Sequence, residues 1–330
     1  MVNDSSKRTD SAMQSNQPDQ PDQPKQPHPD DPHAPDRRRP PAGPAPRAED
    51  RTASGAAPAP DAEQTARLVR FRLPAPAAPD GAEDAREAAR AGIDPAVHRE
   101  LLLGFEEQVR QAAAGLLADT GFAGLVARLP FRPGEHVVAI GESTTADRLS
   151  WFEILRRLLP AGVRLSNLAV PGCTTTQALA QLPALALRRP DWVLCMLGAN
   201  DVQRLGPDAV RLVSADETRR NLLLLRELAG RRTSARWIWL TPAGVHAERV
   251  AAYPHFRRAG IGWANEDIDA VAAFLRSHPE PTVDTRPAVP ATADGDGTAA
   301  DPHQPDGLHL TLAGQRSVAA ALVRALAGPA

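Results

Sequence analysis

His136-Val137-Val138-Ala139-Ile140-Gly141-Glu142-Ser143-Thr144 is the stretch whose reading decides the fold. Its first five residues form a short, mostly apolar run closed by a glycine, which predicts a buried strand. Outward from it, short apolar runs alternate with longer helical segments. Leu149–Leu159 predicts a helix, Val163–Val170 a second strand, and Thr174–Leu182 a helix stopped by Pro183. Trp192–Leu197 predicts a third buried strand. Ser214–Ala229 predicts a helix opened by a capping box, in which Ser214 and Glu217 cap each other. Arg236–Leu240 predicts a fourth strand, Asn265–Leu275 a helix, and Thr282–Val289 a fifth, weaker strand. Thr311 predicts the N-cap of a last helix ending near Ala327. This alternation implies a parallel sheet covered on both faces, a three-layer α/β/α sandwich.

The chain before this region differs in kind. Of its 330 residues, the first 64 hold 13 of the 33 prolines, no Phe, Trp or Tyr, and only Val2 among Val, Ile and Leu. Such a segment buries too little apolar surface to offset its ordering entropy, so residues 1–64 read as a disordered tail. Residues 65–130 read as a helical extension, because Leu101, Phe105, Val109, Ala112 and Leu116 recur at steps of three and four. Residues 131–330 then form the α/β domain.

Composition excludes several classes. A net charge of −2 provides no basic field for nucleic acid. No apolar run approaches the roughly 18 residues of a membrane span, and the N-terminus lacks a signal peptide's apolar core. The expectation is a soluble, cytoplasmic protein with a small-molecule substrate. Cys173 and Cys195 make neither a disulfide framework nor a metal-ligand pattern, and no metal or cofactor is implied.

Four short blocks stand at predicted strand ends or before the last helix. Ser143 follows the first strand; taken alone, a serine there is usually a helix N-cap. Asp306-Gly307-Leu308-His309 places an acid and a histidine three residues apart across a turn. The carboxylate can accept from one ring nitrogen and leave the other to face a serine. Gly172, in Val170-Pro171-Gly172, offers an unobstructed backbone N–H. Asn200, in Gly198-Ala199-Asn200-Asp201, offers a side-chain amide, and both donors suit a developing oxyanion. Each block is ordinary by itself. Together they supply a nucleophile, its base, an orienting acid and two oxyanion donors. Two further stretches, Pro242–Gly262 with Tyr253, His255 and Phe256, and Pro290–Pro305, read as irregular loops available for substrate contact.

In these blocks the chain resembles the SGNH/GDSL hydrolases, the GDSL lipase and esterase superfamily, whose domain is flavodoxin-like. Gly141-Glu142-Ser143 resembles the nucleophile block, with Glu142 where the family usually has Asp. The resemblance implies a serine hydrolase acting on esters, thioesters or O-acyl groups through an acyl-enzyme on Ser143. His309 would be the base, Asp306 its orienting partner, and Ser143 N–H, Gly172 N–H and the Asn200 side chain the oxyanion hole.

Other readings differ in what they require. A nucleotide-binding module would need a G-x-G-x-x-G or P-loop signature, and neither is present. A catalytically inactive SGNH-fold binding protein would be expected to have lost one of the required groups. An acyltransferase would use the same acyl-enzyme and differ only in the acceptor.

Overall fold

The computed structural model describes residues 61–71, 83–290 and 300–328. The main sheet contains β1 (His136–Gly141), β2 (Arg164–Asn167) and β3 (Trp192–Met196). β4 (Arg204–Leu205) and β5 (Val210–Arg211) lie outside it, followed by β6 (Arg236–Leu240), β7 (Ile261–Gly262) and β8 (Thr282–Val283). The main sheet has the order β2-β1-β3-β6-β8, with every neighbouring pair parallel. β4, β5 and β7 form a small antiparallel sheet.

Side chains alternate across a strand, so the main sheet has two apolar faces to cover. Val137, Ala139, Leu194, Met196 and Ile238 share one core with Phe105, Trp151, Ile154 and Val318. Val138, Ile140, Val193, Cys195 and Trp239 share the other with Leu185, Leu222, Ile268 and Leu275. The first core is covered by α3 (Pro95–Leu117), which follows α1 (Ala62–Arg70) and α2 (Glu83–Ala91), and which α4 (Thr120–Ala127) continues. α5 (Ser143–Ala146) and α6 (Trp151–Leu158) connect β1 to β2, and α7 (Thr175–Ala178) and α8 (Leu182–Arg188) connect β2 to β3. α9 (Ala215–Arg232) precedes β6. α10 (Ala247–Ala252), α11 (Pro254–Ala259) and α12 (Asn265–Arg276) precede β8, and α13 (Leu312–Leu326) comes last. This is the three-layer α/β/α sandwich with a central parallel sheet.

From β1 the chain goes to β2 on one side, then crosses to β3 on the other. Ligand crevices in such sheets open where the winding reverses, beyond the carboxyl ends of the strands. Here those ends belong to β1 and β3.

Several boundaries differ from the sequence reading, each for a local reason. α1 starts at Ala62, inside the expected tail. Asp61 and Gln64 make a reciprocal capping box that supports its first turn. Residues 1–60 of the tail and residues 291–299 of the second loop lie outside the described residues. The strand expected over Val163–Val170 is confined to β2, although Leu168 and Val170 still donate to Ala139 O and Gly141 O. Pro183 does not stop a helix; it sits in the first turn of α8, where its missing N–H costs nothing. Ser214 does accept from Glu217 N. The Glu217 carboxylate, however, takes the Arg220 guanidinium, so only half the expected box forms. The fifth strand shrinks to two residues, because Pro287 lies in a 3-10 turn over Arg286–Ala288 and offers no N–H to a ladder. Pro242–Gly262 is largely helical: Pro254 opens α11, and Gly260 closes it in the left-handed region.

Candidate active site

The loop that carries Ser143 is shaped by Gly141, where no side chain fits. A Cβ on Gly141 would stand 2.6 Å from Thr145 Oγ1 and 3.1 Å from Met196 O. Glu142 then turns the chain as the N-cap of α5, accepting from Thr144 N. Ser143 is the first residue of α5 and is buried. Gln315 of α13 anchors the loop from outside. It is fully buried, accepts from Trp151 N at 2.9 Å and donates to Thr144 O at 3.0 Å.

Val170 N donates to Gly141 O at 3.1 Å, so the Gly172 turn follows the end of β1. Gly172 has φ +74° and its α-carbon faces open space. Asn200 donates to Cys173 O at 3.2 Å, which sets its amide beside Gly172. Its neighbour Asp201 is buried and accepts from Thr175 N and Thr175 Oγ1. Burial pushes the Asp201 carboxyl up against the pull of those bonds. Trp263 Nε1 completes the anchoring by donating to Ala199 O at 2.9 Å. Cys173 is no rival nucleophile: burial, with the charges of Glu142 and Asp201, pushes its thiol up to about 12.

The last block is a closed turn. Gly307 has φ +71°, and a Cβ there would stand 2.6 Å from His246 O. Asp306 is fully buried. Its Oδ1 accepts from Leu308 N and His309 N at 3.0 and 2.9 Å. Its Oδ2 stands 2.8 Å from His309 Nδ1. An ionised carboxylate only accepts, so Nδ1 is the donor and Nε2 is left for other work. Burial alone would raise the Asp306 carboxyl. The His309 hydrogen bond and charge, with the two backbone N–H groups, instead lower it to about 2.

Of the residues singled out in the sequence, Asp306 joins His309 directly, and Asn200 joins the Gly172 turn. Ser143 does not join His309. Among the described residues its hydroxyl partner is Glu142 Oε2, at 2.8 Å. The two segments nonetheless meet through Phe71, a residue the sequence reading passed over. Phe71 pairs with Asp147, just beyond α5, and its ring centroid lies 5.0 Å from that of His309. Arg67 was missed as well: its guanidinium donates to Asp306 Oδ2 at 2.5 Å and to the Tyr253 hydroxyl at 2.6 Å. The apolar–basic pattern of α1 signals a helix at these residues, but not which distant groups it meets.

A family profile described as GDSL-like Lipase/Acylhydrolase matches residues 139–317, from the middle of β1 into α13. This chain belongs to that family. The match takes in all four blocks and ends within the helix that carries Gln315. Solved structures of proteins described as acylhydrolases, lipases or esterases are similar to part of this chain. A lipase/acylhydrolase from Enterococcus faecalis has 22% identity, with 59% of this chain and 96% of that one covered and a TM-score of 0.44. A GDSL-like lipase from Bacteroides thetaiotaomicron has 19% identity, 63% and 96% coverage, and a TM-score of 0.43. Est24, a carbohydrate acetylesterase from Sinorhizobium meliloti, has 15% identity, 58% and 97% coverage, and a TM-score of 0.45. A comparison with curated proteins found no match. Among the described residues, no helix of this acylhydrolase-family chain is long and apolar enough to cross a membrane.

Proposed function

We propose that the protein is a serine esterase that hydrolyses ester or O-acyl bonds of a small or medium-sized substrate. The observation that carries this reading is the 2.8 Å contact between His309 Nδ1 and a buried, ionised Asp306. Held this way, the ring keeps Nε2 for a serine proton, and the imidazolium that forms is stabilised by the carboxylate.

The chemistry follows in two halves. The Ser143 hydroxyl turns from Glu142 to His309, which takes its proton as Oγ bonds to the acyl carbon. Negative charge moves to the carbonyl oxygen, where Ser143 N–H, Gly172 N–H and Asn200 Nδ2 are the donors. Collapse breaks the bond to the leaving oxygen, which takes the proton from His309. Water then attacks the acyl-enzyme with His309 as base again. The product acid leaves, and Ser143 regains its proton.

Hydrolysis of p-nitrophenyl esters of increasing chain length tests the reading. Wild type should turn over short acyl esters, and His309→Ala should lose several orders of magnitude in kcat. Wild-type turnover in His309→Ala would contradict it.

A further inference from the structure

α1 lies wholly before the region the family profile matches, yet its last turn is bonded to both halves of the site. Arg70 Nε donates to both Asp147 oxygens, at 2.9 and 3.0 Å, and its Nη2 donates to Leu310 O at 2.8 Å. Arg148 N returns a bond to Arg70 O at 3.0 Å. A nine-residue helix is marginal in water; these contacts, the Asp61 cap and the burial of Val69 in the first core hold it. Arg67 is thereby fixed against Asp306 Oδ2, the same oxygen that His309 holds.

We propose that Arg67 is a positioning residue of the site, set in place by α1, which holds the Asp306 carboxylate and limits the basicity of His309. This rests on the serine-hydrolase reading. Asp306 is fully buried, and Arg67 is the cation on its Oδ2. A guanidinium there has two consequences. It takes a lone pair of Oδ2, so the carboxylate cannot swing away from the ring. It also offsets part of the negative charge that Asp306 presents to the ring.

The remaining charges around the pair are otherwise engaged. Asp147 is paired with Arg70, and Arg249 of α10 with Asp301. Glu142 takes the Ser143 hydroxyl. His303 bonds to Gly244 O; His246 donates its backbone N–H to Gly307 O, and its ring Nδ1 is buried without a hydrogen-bond partner among the described residues. The Tyr253 hydroxyl accepts from Arg67 Nη1, while Arg67 Nη2 holds Asp306, so both ends of the guanidinium are fixed.

The full-length chain carrying Arg67→Met, Arg67→Gln or Arg67→Lys tests this in two ways. The first is the pH dependence of kcat/KM on p-nitrophenyl acetate. The second is the ring titration of His309 by NMR in a Ser143→Ala background, which needs no turnover. Removing the charge should raise the His309 titration by about one unit in both measurements. It should also lower kcat about tenfold, with Arg67→Lys staying close to wild type in titration. Arg67→Gln keeps a donor and so reads the charge alone if Arg67→Met folds poorly. An unchanged or lowered titration in the neutral variants overturns the proposal. If wild type fails to hydrolyse the ester, the esterase reading fails, while the NMR titration still decides the role of Arg67.

Discussion

Ser143 donates its hydroxyl to Glu142 Oε2 at 2.8 Å, while His309, the proposed base, is held by Asp306 on another segment. In the proposed mechanism the Ser143 hydroxyl therefore rests on a carboxylate that must release it before reaction. A charge-assisted bond is stronger than a neutral one, and a nearby negative charge also disfavours the oxyanion.

Glu142→Gln should consequently raise reactivity. The amide oxygen can still cap α5, but it holds the hydroxyl less strongly and carries no charge. The expected gain is a few-fold in the second-order rate of fluorophosphonate labelling, for a difference of about 1 kcal/mol. A large loss of labelling with the fold intact would show that Glu142 assists the serine.

Asp306 predicts a specific acid sensitivity. Its carboxyl sits at about 2 in the fold, below the usual aspartate value, so the folded state binds its proton more weakly than the unfolded chain does. That contribution to stability is fully present above about pH 4 and is lost as pH falls through about 2. It amounts to about 2 kcal/mol. Urea unfolding measured from pH 5 to pH 2 should therefore fall less steeply in Asp306→Asn than in wild type. Parallel profiles would contradict the assignment. Because Asp306 stays ionised throughout the working range, an acid limb in activity near neutrality does not come from Asp306.

Two glycines with similar backbone angles should respond differently to alanine. Gly307 has φ +71°, and an added Cβ would meet the α10 backbone. Gly172 has φ +74° and nothing within 4 Å. Gly307→Ala should cost about 2 kcal/mol or more, from left-handed strain plus the clash, and Gly172→Ala only about 1 kcal/mol. Chemical denaturation of the two variants checks the order, and equal losses would mean the turn over α10 yields easily.

Asn200→Ala should lower kcat by about 10²–10³ with little change in KM, since an oxyanion donor acts chiefly in the transition state. The buried Asp201–Thr175 contacts keep the loop in place without the Asn200 amide. A rise in KM alone would assign Asn200 to substrate binding instead.

What the sequence could show depended on period and on local chemistry. β1, β3 and β6 were legible because each carries at least four consecutive apolar residues buried on both faces. The Asp306–His309 contact was legible because a three-residue spacing across an Asp-Gly turn brings the two side chains together. Arg67 and Phe71 were not. Their partners lie more than 200 residues away for Arg67 with Asp306 and for Phe71 with His309, and no local pattern encodes such a contact. The Glu142–Ser143 bond escaped for a different reason: adjacent side chains give no periodic signal, and only the turn at Gly141 decides that they meet. The two-residue strands β4, β5 and β7 are too short for any alternation to register.

Whether Ser143 carries the acyl group is read by peptide mass spectrometry after fluorophosphonate treatment. Wild type should gain one adduct, on the peptide that contains Ser143, and His309→Ala should label far more slowly. Ser143→Ala should gain none. An adduct that persists undiminished in Ser143→Ala, or that maps to another residue in wild type, would contradict the account.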